Sequence, residues 1–178
     1  VRNETIDIKS FFKKRFYRIF PPLVLMILVA TPLALLVRND FIANIGQQIT
    51  TTLGFVTNYF EILSGGSYEN LFTPHLFVHT WTLAVEIHFY IAWIFAVHFM
   101  TKKVEKVGQL KGLIFLSSSL IALVSFLSMF ISSFFVDEFS RIYFSSWTHI
   151  FPFFIGAALA TLFGIQATTP AFKRFSNT

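Results

Sequence analysis

The chain lacks cysteine altogether, and only 13% of its 178 residues are charged, against about 25% in soluble domains. The first absence removes disulfides and thiolate chemistry. The second removes the solvated surface that a soluble fold needs. Acidic residues are the scarcer kind, 9 Asp and Glu against 14 Lys and Arg, for a net charge of +5. That excess does not read as nucleic-acid binding, because the basic residues cluster beside apolar runs, where they act as topology signals. No secretory cleavage motif follows the first apolar run, and no repeat of 20–50 residues is visible. Gly65-Gly66 marks a turn and not a phosphate loop. The chain opens at Val1 without methionine, and it reads as an internal piece of a longer polytopic protein.

What is abundant is apolar. Hydrophobic residues make up 54% of the chain and Phe alone fills 25 positions. The expected fold is an all-α polytopic membrane helix bundle. Residues 1–18 form a basic cytoplasmic segment, with Arg2, Lys9, Lys13, Lys14, Arg15 and Arg18 against Glu4 and Asp7. Residues 19–37, 83–100, 113–136 and 145–164 are long or apolar enough to cross a bilayer whose hydrocarbon core is about 30 Å thick. Pro21 and Pro22 suit a first helical turn, whereas Pro32 should kink the first span unless its backbone finds other partners.

Residues 38–82 mix Gln47, Gln48, Thr50, Thr51, Thr52, Asn58 and Glu61 with apolar neighbours. Lys102, Lys103, Lys106 and Lys111 follow the second span, and Lys173 and Arg174 follow the fourth. These positions agree with the positive-inside rule if 38–82 starts and ends outside, as an extracytoplasmic or re-entrant helical segment that dips into the protein and returns.

The most informative segment is His79-Thr80-Trp81-Thr82-Leu83-Ala84-Val85-Glu86-Ile87-His88-Phe89-Tyr90. At about 100° per residue, His79, Glu86 and Tyr90 fall on one helix face. A glutamate inside a membrane helix costs about 2.5–3.5 kcal/mol on insertion scales, so it faces a polar cavity or a partner. The plain alternative is a structural His–Glu hydrogen bond that pins two helices. His75 and His79 have a spacing that can hold zinc, with Glu86 as a third ligand, but no metal is expected. Arg15 and Arg18, three residues apart, place two guanidiniums on one side of a helix and suit phosphate groups. Their plain alternative is head-group anchoring. Tyr143 and Trp147 would ordinarily be interfacial aromatic anchors.

Taken in order, these pieces resemble the acyltransferase 3 family of polytopic membrane proteins. The matching features are Arg15-Phe16-Tyr17-Arg18 followed by Pro21, Asn58, Ser67-Tyr68, Pro74, and the His79…Trp81…Glu86…Phe89-Tyr90 block. Arg141-Ile142-Tyr143 and Gly156-Ala157-Ala158-Leu159-Ala160 follow. Thr82 stands where the family usually has Ser, and Ser146-Trp147-Thr148-His149 replaces a frequent Thr-Asp-Thr-Arg. The variants are similar to the Gram-positive branch, which contains peptidoglycan and cell-wall O-acetyltransferases.

The resemblance implies a multi-pass enzyme of the bacterial cytoplasmic membrane. It would move an acyl group, usually acetyl, from acetyl-CoA at the inner face to hydroxyls of peptidoglycan or another surface polysaccharide. Arg15 and Arg18 would bind the CoA phosphates at the inner surface. A His such as His79 would be the general base, Glu86 would orient it, and Tyr143 would accept the acetyl group transiently. Membrane lipid is an expected partner. The family's first helix, bearing a catalytic His, would precede Val1. Later spans and any extracellular SGNH esterase-like domain would follow Thr178, so this piece alone should be inactive. The rival class is a transporter or channel fragment in which His79 and Glu86 are proton or ligand sites.

Overall fold

A computed structural model describes residues 7–37, 44–64, 75–104, 106–135 and 139–163. Gly65-Gly66, Ser67-Tyr68, Pro74, Lys173 and Arg174 lie outside them. All regular structure among the described residues is helical.

Helix α1, Ile8–Val37, begins well before the apolar run and takes the basic segment into its first turns. Asp7 caps it, its Oδ1 accepting from the Ser10 amide at 3.1 Å. Pro21, Pro22 and Pro32 lie inside one continuous helix. Proline cannot donate to the carbonyl four residues back. Pro21 and Pro22 therefore free the carbonyls of Tyr17 and Arg18.

Two short helices follow, α2 (Ile45–Leu53) and α3 (Thr57–Ser64). They form a hairpin that reverses at Gly54-Phe55-Val56, where Phe55 takes a positive φ of 55°. A bulky residue pays about 1–2 kcal/mol for that conformation, offset here by packing. Phe55 sits among Phe12, Phe16, Phe20, Ile87 and Ile91. The hairpin tip thus reaches well down the flank of the next long helix.

That helix is α4, Trp81–Lys103, entered through a 3-10 turn at Val78–Thr80. Helices α5 (Val107–Phe135), α6 (Phe139–Tyr143), α7 (Ser146–His149) and α8 (Phe151–Phe163) complete the described chain. Three helical stretches, Ile8–Val37, Val78–Lys103 and Val107–Phe135, are long and apolar enough to cross a membrane, and Ser146–Leu162 is a shorter apolar one. This is a membrane protein of the all-α bundle class.

The polarity of the bundle is inverted relative to a soluble fold. Leu28, Leu36, Phe134 and Phe135 point outward, while Gln48, Thr52, Thr57, Asn58, Glu61 and Thr80 are buried. Lipid accepts the first set at no cost; the second must find partners inside. Helices α5 and α8 form the most extensive helix pair. Small residues Ser118, Ala122 and Ser125 on α5 bring the backbones close, as in membrane helix packing generally. Ala122 packs with Phe89 and Phe154, and Ser125 Oγ donates to the Trp147 carbonyl at 2.6 Å.

Candidate active site

Helices α1 and α4 run antiparallel. Leu23 and Ile27 of α1 pack with Phe77 just ahead of α4, whereas Arg15 meets Tyr90 further along it. Between them lies a cavity of about 430 Å³, lined by Arg15, Arg18, Pro22, His79, Glu86 and Tyr90 among others. Ligand sites commonly span about 300–1,000 Å³ with few polar groups on apolar walls. The residues that helical spacing places on one face, His79, Glu86 and Tyr90, do share this cavity.

The cavity has two ends. His79 stands at one, carried there by the 3-10 turn and exposed. Arg15 and Arg18 stand at the other. From His79 to Tyr90 the chain rises about 16 Å at 1.5 Å per residue. A further 18 Å or so of helix separates Tyr90 from Lys102. Arg15 therefore sits against the cavity, opposite the middle of α4.

Glu86 does not bond to His79. Its Oε1 accepts a hydrogen bond from the Tyr90 hydroxyl, one turn on. Arg15 donates to the Tyr90 oxygen at 3.4 Å, and its guanidinium lies 4.5 Å from the Tyr90 ring centroid and 5.4 Å from that of Phe11. Cation and carboxylate are thus joined through one phenol. Spacing placed Tyr90 on the right face; its linking role had no sequence signal, because Arg15 lies 75 residues away.

Tyr143 is not among the cavity's lining. It is 41% exposed and packs on Trp81, with ring centroids 5.1 Å apart, and on His149 at 5.7 Å. Trp81 directly follows the cavity residues His79 and Thr80, so Tyr143 borders the same end of α4 as His79.

His75 lies ahead of α4, which starts at Trp81, and does not share a helix face with His79. Its Nδ1 instead bonds both carboxylate oxygens of Glu61, at 2.9 and 3.0 Å, in a pair whose side chains are 8% and 6% exposed. No group of three His, Asp or Glu able to hold a metal occurs among the described residues. Further polar contacts seat the hairpin. Thr80 Oγ1 lies 3.1 Å from Thr57 Oγ1 and 3.3 Å from Thr52 Oγ1, and donates to the Phe77 carbonyl at 2.7 Å. Asn58 Nδ2 donates to Ser146 Oγ at 2.9 Å, and His88 Nδ1 lies 3.0 Å from the same oxygen. The stripe Gln48, Thr52, Thr57, Glu61, at near-helical spacing, was the signal for this buried layer.

The described residues thus bring an arginine pair, a histidine and a carboxylate together on one ligand-sized cavity of a helical membrane bundle. A family model described as an acyltransferase domain matches residues 1–175, and the chain belongs to this family, acyltransferase 3. It is 24% identical over 159 residues to the O-acetyltransferase OatA of Staphylococcus aureus (strain NCTC 8325), covering 89% of this chain and 26% of that protein. It is 31% identical over 157 residues to a Staphylococcus aureus (strain COL) protein provisionally named an O-acetyltransferase, covering 88% of this chain and 25% of that one. The chain therefore spans about a quarter of the length of these relatives. No solved structure matches the chain at a significant level.

Proposed function

We propose that this chain forms the cavity-bearing part of a membrane O-acetyltransferase that takes an acetyl group from acetyl-CoA and esterifies hydroxyls of a cell-surface carbohydrate, peptidoglycan being the foremost acceptor. The observation that carries the reading is the cavity itself. One end holds two guanidiniums suited to phosphate, the other an imidazole, and a carboxylate lies between them.

In this reading Arg15 and Arg18 bind phosphate oxygens of the donor. The imidazole of His79, or one on a segment outside this chain, takes the proton of the acceptor hydroxyl. The hydroxyl oxygen forms an ester bond to the acetyl carbon, and the carbon–sulfur bond breaks. The proton then passes from the imidazolium to the leaving thiolate, which departs as the CoA thiol. Glu86 stabilises the imidazolium electrostatically across the cavity. Tyr143 fits a transient acetyl carrier at the end nearest His79: by that route its hydroxyl is the first acceptor, giving up its proton as the ester forms, and the carbohydrate hydroxyl then takes the acetyl group while its own proton returns to the tyrosine oxygen. Membrane lipid surrounds the bundle, and an SGNH-type domain in the full-length chain would supply the final transfer.

The test is the acetyl-CoA dependence of glycan acetylation by the full-length protein carrying Arg18→Lys. A lysine keeps the charge but not the two-pronged geometry. The expected result is a raised requirement for acetyl-CoA at normal protein level. Unchanged donor dependence in both Arg15→Lys and Arg18→Lys would overturn the donor site.

A further inference from the structure

The arginine pair and the carboxylate are not independent. Arg15 donates to the oxygen of Tyr90, and the same hydroxyl donates to Glu86. The guanidinium also lies on the Tyr90 ring, at 4.5 Å. All three side chains line one cavity. We infer that Tyr90 is a positioning residue that couples the anionic-donor subsite to Glu86, so that phosphate and carboxylate compete for Arg15 through a single phenol.

The physical argument starts from acceptor strength. A guanidinium binds an ionised phosphate through paired, opposite-charge hydrogen bonds, which are stronger than its single bond to the neutral oxygen of a phenol. A phosphate entering beside Arg15 and Arg18 therefore draws the Arg15 N–H away from the Tyr90 oxygen. Glu86 then keeps its bond from Tyr90 but loses the cation behind it. Before donor binding, Glu86 is held by the Tyr90–Arg15 arm at one end of the cavity. After donor binding, its charge is free to act on the imidazole at the other end. The carboxylate becomes available only when the acyl group is present. Linkage makes the effect reciprocal: whatever Glu86 does to donor affinity, the donor does to Glu86.

Tyrosine suits the position for a reason that phenylalanine would not. The ring gives Arg15 a face to rest on. The hydroxyl, as simultaneous donor and acceptor, transmits the change. Removing the hydroxyl leaves the resting place and cuts the transmission.

The inference rests on the donor reading above, and its test separates the two. CoA itself is titrated calorimetrically into the purified full-length protein in detergent, for wild type, Glu86→Gln, Tyr90→Phe and the double variant. In the wild-type background Glu86→Gln should tighten CoA binding about fivefold or more, because the amide holds the Tyr90–Arg15 arm less firmly. In the Tyr90→Phe background the same change should shift affinity by less than about twofold, a non-additivity of the kind seen for residues in one network. An equal shift in both backgrounds would overturn the coupling while leaving the donor site standing. Absence of CoA binding by the wild type would overturn the donor site and the coupling together. A steady-state companion measurement is the acetyl-CoA KM against kcat. The coupling requires Tyr90→Phe to alter both, whereas a merely structural hydroxyl would lower the amount of folded protein and leave both constants unchanged.

Discussion

A carboxylate in an apolar helix must be neutralised or hydrogen-bonded, and the two that matter here are satisfied differently. Glu86 takes a bond from Tyr90 and faces a cavity; Glu61 is closed off against His75. The difference sets opposite expectations. Glu86→Gln should lower turnover of the full-length enzyme by about 10²-fold or more, the scale of losing acid–base assistance. Membrane protein level should hold, since removing an intramembrane charge eases insertion. Wild-type glycan acetylation at equal protein level would refute the role. For the Glu61–His75 pair the loss should appear in stability. His75→Leu should destabilise the protein by about 3–5 kcal/mol by leaving a buried charge unpaired, and adding Glu61→Leu should recover much of it. Thermal unfolding in detergent reads both. Glu86 was legible in the sequence because a charge among apolar residues is conspicuous at any range. The partner of Glu61 was not, since His75 offered a competing spacing with His79 and nothing local connects residues 14 apart.

The elements show how far periodicity reaches. The long helices are apparent from apolar runs, but their true starts are not. α1 begins at Ile8 because helix formation continues through charged residues of good propensity once a cap such as Asp7 is in place. Prolines 21 and 22 consequently fall in mid-helix and not in a first turn. The hairpin α2–α3 was the harder element. Its helical character was legible, but its break into two helices at Gly54-Phe55-Val56 was not, and the spacing of Gln48, Thr52, Thr57 and Glu61 marks its buried face. That face grips the turn carrying His79 through Thr80. Thr80→Val should therefore cost more than Thr52→Val, because the Thr80 hydroxyl meets Thr52, Thr57 and the Phe77 carbonyl while that of Thr52 meets the two threonines alone, and one net hydrogen bond is worth about 0.5–1.5 kcal/mol. Comparison of unfolding midpoints in detergent tests the order, and equal losses would show that the hydroxyl cluster does not hold the turn.

For the whole molecule, the net basic balance and its position beside the spans predict orientation. With no native cysteine in this chain, single cysteines at Lys103 and Leu63, both exposed, report on opposite sides. The cysteine at position 63 should react with an impermeant thiol reagent in intact cells, and that at position 103 only after permeabilisation. The reverse pattern would invert the route proposed for the acetyl group. Bundle class and membrane character were legible from composition alone. The way the helices assemble was not, because the contacts that decide it join residues 75 and 88 positions apart.

The buried polar stripe of α2–α3 also has a consequence for how the protein is made. A nascent chain emerges in order, and the hairpin emerges before its distant partners: the Phe77 amide, His75, Thr80 and, last, Ser146. Until those arrive, lipid offers its amides, hydroxyls and carboxylate nothing. The hairpin must wait at the bilayer surface or against the insertion machinery while the ribosome delivers α4 and α7. An early stretch of chain therefore completes its burial late, and a change as distant as Ser146→Ala should leave residues 45–64 open to protease for longer after synthesis.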